Sequence, residues 1–114
     1  MNKDTFPESW CYPIGSVDIT SKFTINSEFK DVSVKAVLSG KVVTISFDLG
    51  GNDSLTKNLF TIKDEEYYPS ITSYANCIIH ENGAGVVTVD KSTGKATCSK
   101  DVWWCGGTIS YIID

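Results

Sequence analysis

The feature that most constrains this chain is a strict alternation of apolar and polar residues on both sides of a glycine turn. It runs through DVSVKAVLSGKVVTISFDLGGND, residues 31–53. A period of two is typical of β-strands that bury one face. The segment therefore predicts a β-hairpin that turns at Ser39-Gly40 and stops at Gly50-Gly51-Asn52-Asp53. Its predicted inward residues are Val32, Val34, Ala36, Leu38, Val43, Ile45, Phe47 and Leu49.

Two later segments repeat the same period. GVVTVDKSTGKATC, residues 85–98, predicts a second hairpin, with Gly94 at the turn position that favours a positive φ. GGTISYIID, residues 106–114, predicts a C-terminal strand with Ile109 and Tyr111 facing inward. Because Ile112 interrupts the polar face of that strand, we expect both of its faces to be covered.

The remaining strand signals are shorter, and no segment has a convincing helical period. SVDITSKFTI, residues 16–25, predicts an edge strand, and SITSYANCIIHE predicts a strand that ends at Asn82-Gly83. Short strands with tight turns favour an all-β fold, an antiparallel β-sandwich or jelly-roll-like head domain. We expect it to span residues 16–114, after an arm or connector over residues 1–15, where Pro7 and Pro13 discourage a strand.

Charge and hydropathy argue against two classes of partner. The net charge is -4 and all ten basic residues are lysines scattered along the chain. Nucleic-acid binding usually requires a clustered basic face, so no nucleic-acid partner is expected. No apolar run reaches the length of a membrane span, and no basic-then-apolar leader opens the sequence. We therefore expect neither membrane insertion nor a signal peptide.

The four cysteines, at positions 11, 77, 98 and 105, lack the CxxC spacing of structural zinc sites. Cys77 and Cys98 lie in apolar strand contexts. We favour reduced cysteines used as small core residues, and disulfides or a metal site remain the alternatives. No cofactor and no metal ligand are predicted.

No group of residues predicts catalysis. His80 lacks an orienting partner, which favours a surface or hydrogen-bonded role. Asp64, Glu65 and Glu66 are adjacent acids, which are more often a solvated turn than a catalytic pair. We therefore predict that the protein is not an enzyme.

Aromatic residues are the strongest candidates for ligand contact. If Trp103 and Trp104 lie within a strand, they point to opposite faces, so one of them is exposed. Core or subunit packing is favoured for them, with sugar stacking as the alternative. Our ligand hypothesis places Trp103 or Trp104, with Asp101, in or beside a binding groove. Trp10 with Tyr12 poses the same choice.

The joint LFTIKDEEYYPSIT, residues 59–72, raises a similar question. Pro69 fixes its own φ and pushes Tyr68 toward an extended conformation. We interpret Tyr67, Tyr68 and Pro69 as a structural corner, in preference to a ligand platform. A tyrosine there is expected to bury its ring while its hydroxyl bonds the main chain.

The order of these segments resembles a known family. Gly40–Val43 (GKVV), Leu59–Ile62 (LFTI), Tyr67–Ser70 (YYPS), Val87–Thr97 and Thr108–Ile113 follow one another. This order resembles the C-terminal domains of tail-fibre, baseplate and receptor-binding proteins in phages and prophages of Gram-positive bacteria. The likeness covers roughly residues 30 to 114, on a loose pattern rather than a rigid motif.

The resemblance implies an all-β head, commonly a homotrimer, that recognises a bacterial cell-surface glycan and has no catalytic residues. It implies a place in the virion, on a tail fibre or baseplate, after synthesis in the bacterial cytoplasm. The implied partners are further copies of the chain, a saccharide and other tail or baseplate proteins. A purely structural trimerisation or capping domain is the alternative. A glycan-cleaving enzyme is less favoured, because no facing pair of acids can be named.

Overall fold

The computed structural model describes residues 15–114, and most of them lie in strands. The predicted arm, residues 1–15, lies outside the described residues apart from Gly15. The strands are, in chain order, β1 (Val17–Asp18), β2 (Phe23–Ile25), β3 (Asp31–Ser39), β4 (Val42–Gly50), β5 (Thr56–Ile62), β6 (Ser73–Ile79), β7 (Gly83–Val89), β8 (Lys95–Val102) and β9 (Cys105–Ile112).

The nine strands form one antiparallel sheet in the order β1-β3-β4-β9-β6-β7-β8-β5-β2. Its two edge strands, β1 and β2, are separated in the chain only by residues 19–22, so the two edges of the sheet must lie close together. The sheet is therefore curled, and Phe47 of β4 packs across the core on Phe60 of β5, with ring centroids 6.0 Å apart. The predicted all-β, antiparallel, sandwich-like class is confirmed.

The two predicted hairpins are confirmed. β3 and β4 pair over their full length, with Ser39 opposite Val42 and Gly40 at φ 60° in the turn. β7 and β8 pair with Val87 opposite Cys98, and Gly94 has φ 68°. The alternation predicted the buried face because residues at every second position share one side of a strand. Its buried members in the first hairpin are Ala36, Val43, Ile45, Phe47 and Leu49.

Three details of the predicted strands are wrong. Val32 was expected in the buried face, yet it is 45% exposed, because no strand of residues 15–114 lies beside this part of β3 on its outer edge. SVDITSKFTI forms two short strands, β1 and β2, separated by a 3-10 turn over Thr20–Lys22, because its two halves pair with opposite edges of the sheet. Ile112 was expected to be covered, yet it is 60% exposed. Its register partner on the same face, Val42, is exposed as well, so no part of residues 15–114 covers this end of the outward face.

Within residues 15–114 the helical elements are three 3-10 turns, Thr20–Lys22, Glu65–Tyr67 and His80–Asn82. None of the helices in this described part has the length and apolar character that a bilayer crossing requires.

Candidate functional site

Trp103 and Trp104 lie in the short connection between β8, which ends at Val102, and β9, which begins at Cys105. The expectation that they alternate within a strand is therefore wrong. Successive side chains point to opposite faces only within a strand, so this alternation does not apply in a turn. The two indoles have different surroundings.

The indole of Trp104 lies on the outward face of the sheet, against Gly50 and Gly106. It occupies the space where side chains at Gly50 and Gly106 would stand: a Cβ on Gly50 would be 2.7 Å from Trp104 Cδ1, and one on Gly106 would be 3.1 Å from Cζ2. The indole nitrogen Nε1 donates a hydrogen bond of 2.6 Å to Asp48 Oδ1. Two glycines and one carboxylate thus fix the orientation of a half-buried ring.

Polar side chains share the outward face with this indole because of the strand register. Ser33 of β3 is opposite Asp48 of β4, and Asp48 is opposite Gly106 of β9, so all three positions share the outward face. In the next row, Ser46 Oγ and Thr108 Oγ1 lie 3.0 Å apart in a hydrogen bond. We call Ser33, Lys35, Ser46, Asp48, Trp104 and Thr108 the Trp104 face.

A shallow depression of about 710 Å³ runs along the Trp104 face. It is lined by the main chain and side chains of β3, β4 and β9, among them Ser33, Lys35, Ser46, Asp48 and Thr108. Hydroxyl groups donate and accept hydrogen bonds, the carboxylate only accepts and the ammonium only donates. The depression therefore offers every kind of hydrogen-bonding group, and Asp48, which lines it, binds the indole nitrogen of Trp104.

Trp103 presents a different surface. Its ring stacks on His80, with centroids 5.2 Å apart and an interplanar angle of 18°. Its main-chain N–H donates to His80 Nδ1 at 3.4 Å, and His80 N–H donates to the carbonyl of Trp104 at 3.2 Å. One face of Trp103 is therefore covered by imidazole, although the side chain is 45% exposed. His80 has a packing role here that sequence reasoning did not identify.

Asp101 lies on β8 with its side chain exposed. The carboxylate that binds the indole of Trp104 belongs to Asp48 instead. Sequence reasoning placed Asp48 on the outward face of its strand but could not relate it to a residue 56 positions later. The β4–β9 register is what brings the two together.

Of the residues of the predicted corner, Tyr67 ends the 3-10 turn Glu65–Tyr67, and Tyr68 and Pro69 follow it. Tyr68 is extended (φ -70°, ψ 146°), Pro69 is buried, and both tyrosines pack partly against the core. The hydroxyl that bonds the main chain comes from β9: Tyr111 Oη donates to the carbonyl of Tyr67 at 2.7 Å. Burial raises the pKa of Tyr111, so this hydroxyl keeps its proton.

Cys77, Cys98 and Cys105 are free and buried, while Cys11 lies outside the described residues. The Sγ atoms of Cys77 and Cys98 are 4.0 Å apart, and a Cβ on Gly85 would lie 3.1 Å from Cys98 Sγ and 3.3 Å from Cys77 Sγ. The absence of a side chain at Gly85 thus leaves room for the two thiols.

Burial raises the pKa of Cys77 to about 11 and raises that of Cys105 as well. Thiols of this kind are protonated at neutral pH and react poorly. Among residues 15–114, no group of three or more histidine, cysteine, aspartate or glutamate side chains is arranged to hold a metal ion.

A second depression, of about 420 Å³, lies at the other end of the strand order, along β2, β5 and β8. Its polar lining includes Asn26, Glu28, Asn58 and Lys95. Asn26 Nδ2 donates to the carbonyl of Asn58 at 2.8 Å, so part of this polarity is used within the fold. The aromatic residue among its lining residues is Phe60, which is only 3% exposed.

Comparison of the chain with models of protein families, with curated proteins and with solved structures found no match.

Proposed function

We propose that this domain is a non-enzymatic recognition module that binds a saccharide on the Trp104 face. The observation that carries the proposal is the indole of Trp104, held by its hydrogen bond to Asp48 on an outward face that also carries the hydroxyls of Ser46 and Thr108. Sugar rings bind to such surfaces because their C–H faces pack on an aromatic ring while their hydroxyls bond to polar neighbours.

Rigidity favours this role for Trp104 over Trp103. The Trp104 ring rests on Gly50 and Gly106 and its N–H is already bonded, so it loses little conformational freedom when a ligand stacks on it. Trp103 has one face occupied by His80. Asp101, which we first associated with the site, is replaced in this proposal by Asp48.

The biological setting of the proposal rests on the resemblance to phage tail proteins. In that setting the domain is a head at the tip of a tail fibre or baseplate, and its ligand is a bacterial cell-surface glycan. Single saccharide sites of this shallow kind bind weakly. Several copies, as in a homotrimer, would raise the overall avidity without new contacts, because the second binding event becomes intramolecular.

The test is binding of the full chain to a panel of bacterial cell-wall saccharides, with Trp104→Ala as the main variant. We expect a loss of about 1 to 1.5 kcal/mol, roughly tenfold in affinity, for removal of one stacking contact. Asp48→Asn keeps a hydrogen-bond acceptor for the indole and is expected to bind more tightly than Trp104→Ala. Trp103→Ala removes the neighbouring indole, which stacks on His80, and serves as the matched control.

The proposal fails if Trp104→Ala binds every saccharide of the panel as the wild type does, provided that the variant unfolds at a similar denaturant concentration. Loss of binding in Trp103→Ala alone would move the site to Trp103 and would equally remove the Trp104 face from consideration.

A second candidate, a structural trimerisation or capping domain, is favoured by a different observation. Large apolar side chains are exposed on the outward sides of β6 and β7, namely Tyr74, Ile78 and Val86, with Tyr74 66% exposed. Apolar surface of this kind often marks a subunit contact. Light scattering separates the candidates: Tyr74→Ser with Ile78→Ser should reduce the oligomer to monomers if this surface assembles the fibre.

A further inference from the structure

The outer edge of β3 is paired over only part of its length. β1 pairs with β3 at Val37 and Leu38 alone. Beside them, the main chain of Ala36 is bonded by Ile19 and Thr20: Ile19 N–H donates to its carbonyl at 2.9 Å, and its N–H donates to Thr20 Oγ1 at 2.9 Å. Within the described part of the chain, residues 31–34 of β3 have no strand on this side.

The direction of the main-chain groups along this edge follows from Ala36. Its N–H and carbonyl both point away from β4, and in an antiparallel ladder this direction alternates from one residue to the next. Val34 and Val32 therefore also direct their N–H and carbonyl groups to the free edge. Asp31, Ser33 and Lys35 use theirs in the ladder with β4.

We propose that this edge pairs with the same edge of a second copy of the chain, antiparallel and about a two-fold axis at Ser33. Val32 of each copy then lies opposite Val34 of the other, and the two residues exchange both of their outward hydrogen bonds. An edge strand with unpaired main-chain groups is a template for such an addition. A two-fold contact is self-complementary by construction.

The side chains select the same register. With Ser33 opposite Ser33, Asp31 of each copy faces Lys35 of the other, so two pairs of opposite charge form. Lys35 Nζ already lies 3.0 Å from Asp18 Oδ2, and in the pair it would lie between two carboxylates. Opposite charges that face each other across strands stabilise their pairing.

The apolar side of the edge agrees with this register as well. Val32 is 45% exposed in the single chain, and Val34 of the second copy would pack beside it. A shift of two residues would place Val32 opposite Ala36, whose main-chain groups are already bonded by Ile19 and Thr20. Only the register centred on Ser33 pairs the outward main-chain groups of both Val32 and Val34.

Pairing at this edge would place two Trp104 faces on the same side of one continuous sheet, because residues opposite each other across strands share a face. A two-fold contact joins copies in pairs, so a threefold assembly would be doubled by it.

Five residues from each copy bury far less than the roughly 1,600 Å² of a standard stable interface. The association is therefore reversible and depends on protein concentration.

The test is sedimentation velocity of the full chain over a range of concentrations, with two charge reversals. In Asp31→Lys both facing pairs become two lysines, and in Lys35→Asp both become two aspartates, so each variant alone should lose the concentration-dependent doubling. When the two variants are mixed, each lysine of one faces an aspartate of the other. The mixture should therefore recover the doubling, as mixed pairs only.

Lys57→Asp makes the same charge change at an exposed position of β5, and this variant should form pairs of copies as the wild type does. The proposal is overturned if the wild type shows no doubling at any concentration, or if either reversal doubles normally. It is also overturned if the mixture of two folded variants fails to recover the doubling. Saccharide binding by Trp104 does not require this contact, so the two proposals fail independently.

Discussion

Replacement of Gly94 by alanine tests how the corner at Tyr68 is held. Gly94 has φ 68°, and the ring of Tyr68 occupies the position that a Cβ on Gly94 would take. The main chain cannot move away easily, because the carbonyl of Gly94 accepts a hydrogen bond from Ile62 N–H and its own N–H donates to Asp90. Gly40 is the matched control: its φ is 60°, and nothing lies within 4 Å of a Cβ built there.

The two substitutions should differ by the cost of the steric clash. An alanine in the left-handed region costs about 1–2 kcal/mol at either site. Crowding a packed site costs a further 1–3 kcal/mol or so, and only Gly94 has a ring to crowd. We therefore expect about 1–2 kcal/mol for Gly40→Ala and about 2–5 kcal/mol for Gly94→Ala, a large share of the roughly 5–15 kcal/mol that stabilises a domain.

The assay is urea unfolding followed by tryptophan fluorescence, with the slope compared between variants to check that the two-state description holds. The Tyr68→Ala background gives a double-mutant cycle. There the cost of Gly94→Ala should fall to that of Gly40→Ala, because the ring is gone. Equal costs for the two glycine variants in the wild-type background, or no coupling to Tyr68, would refute the reasoning.

Three further predictions follow from burial and charge. Leu59→Ala empties a site that is 0% exposed and should cost about 2–5 kcal/mol in urea unfolding, whereas Leu55→Ala, at 56% exposure, should change stability by less than about 0.5 kcal/mol. Burial raises the pKa of the Cys77 thiol from 9.0 to about 11. The contribution of the protonated thiol to the free energy of unfolding should be fully present below pH 9.0 and should be lost as the pH rises toward 11. The decrease should be smaller in Cys77→Ala, and a flat profile over this range would contradict the prediction. The hydrogen bond from Thr20 N–H, with other contacts, lowers the pKa of Asp18 from 3.8 to about 2. The contribution of the ionised Asp18 carboxylate to the stability of the fold should be present above pH 3.8 and lost as the pH falls through about 2. Asp18→Asn should weaken this acid dependence in thermal unfolding scans.

The sequence alone was sufficient for the fold class and for the local hairpins. The alternation from Val32 to Leu49 predicts strand, buried face and turn together, because side-chain direction in a strand repeats every two residues. Gly40 and Gly94 mark the turns because only glycine adopts a positive φ without strain. These signals are local, and they need no knowledge of the rest of the chain.

Beyond the two hairpins, the sequence did not predict which strands become neighbours, and so it missed the composition of the candidate site. Trp104 and Asp48 are 56 residues apart, and only the pairing of β9 with β4 brings the indole to the carboxylate. The same pairing brings Tyr111 to the corner at Tyr67. The sequence also did not indicate that residues 16–25 divide between two edges of the sheet, because their pattern is that of one continuous strand.

What the sequence determined by itself is therefore the local form of the chain: where it is extended, which face it buries and where it turns. The tertiary structure alone decided which outward residues share a surface and which edge of the sheet has no neighbouring strand among residues 15–114. The physical reason is that a strand satisfies its main-chain hydrogen bonds only through a neighbour, and the choice of neighbour depends on the packing of the whole core.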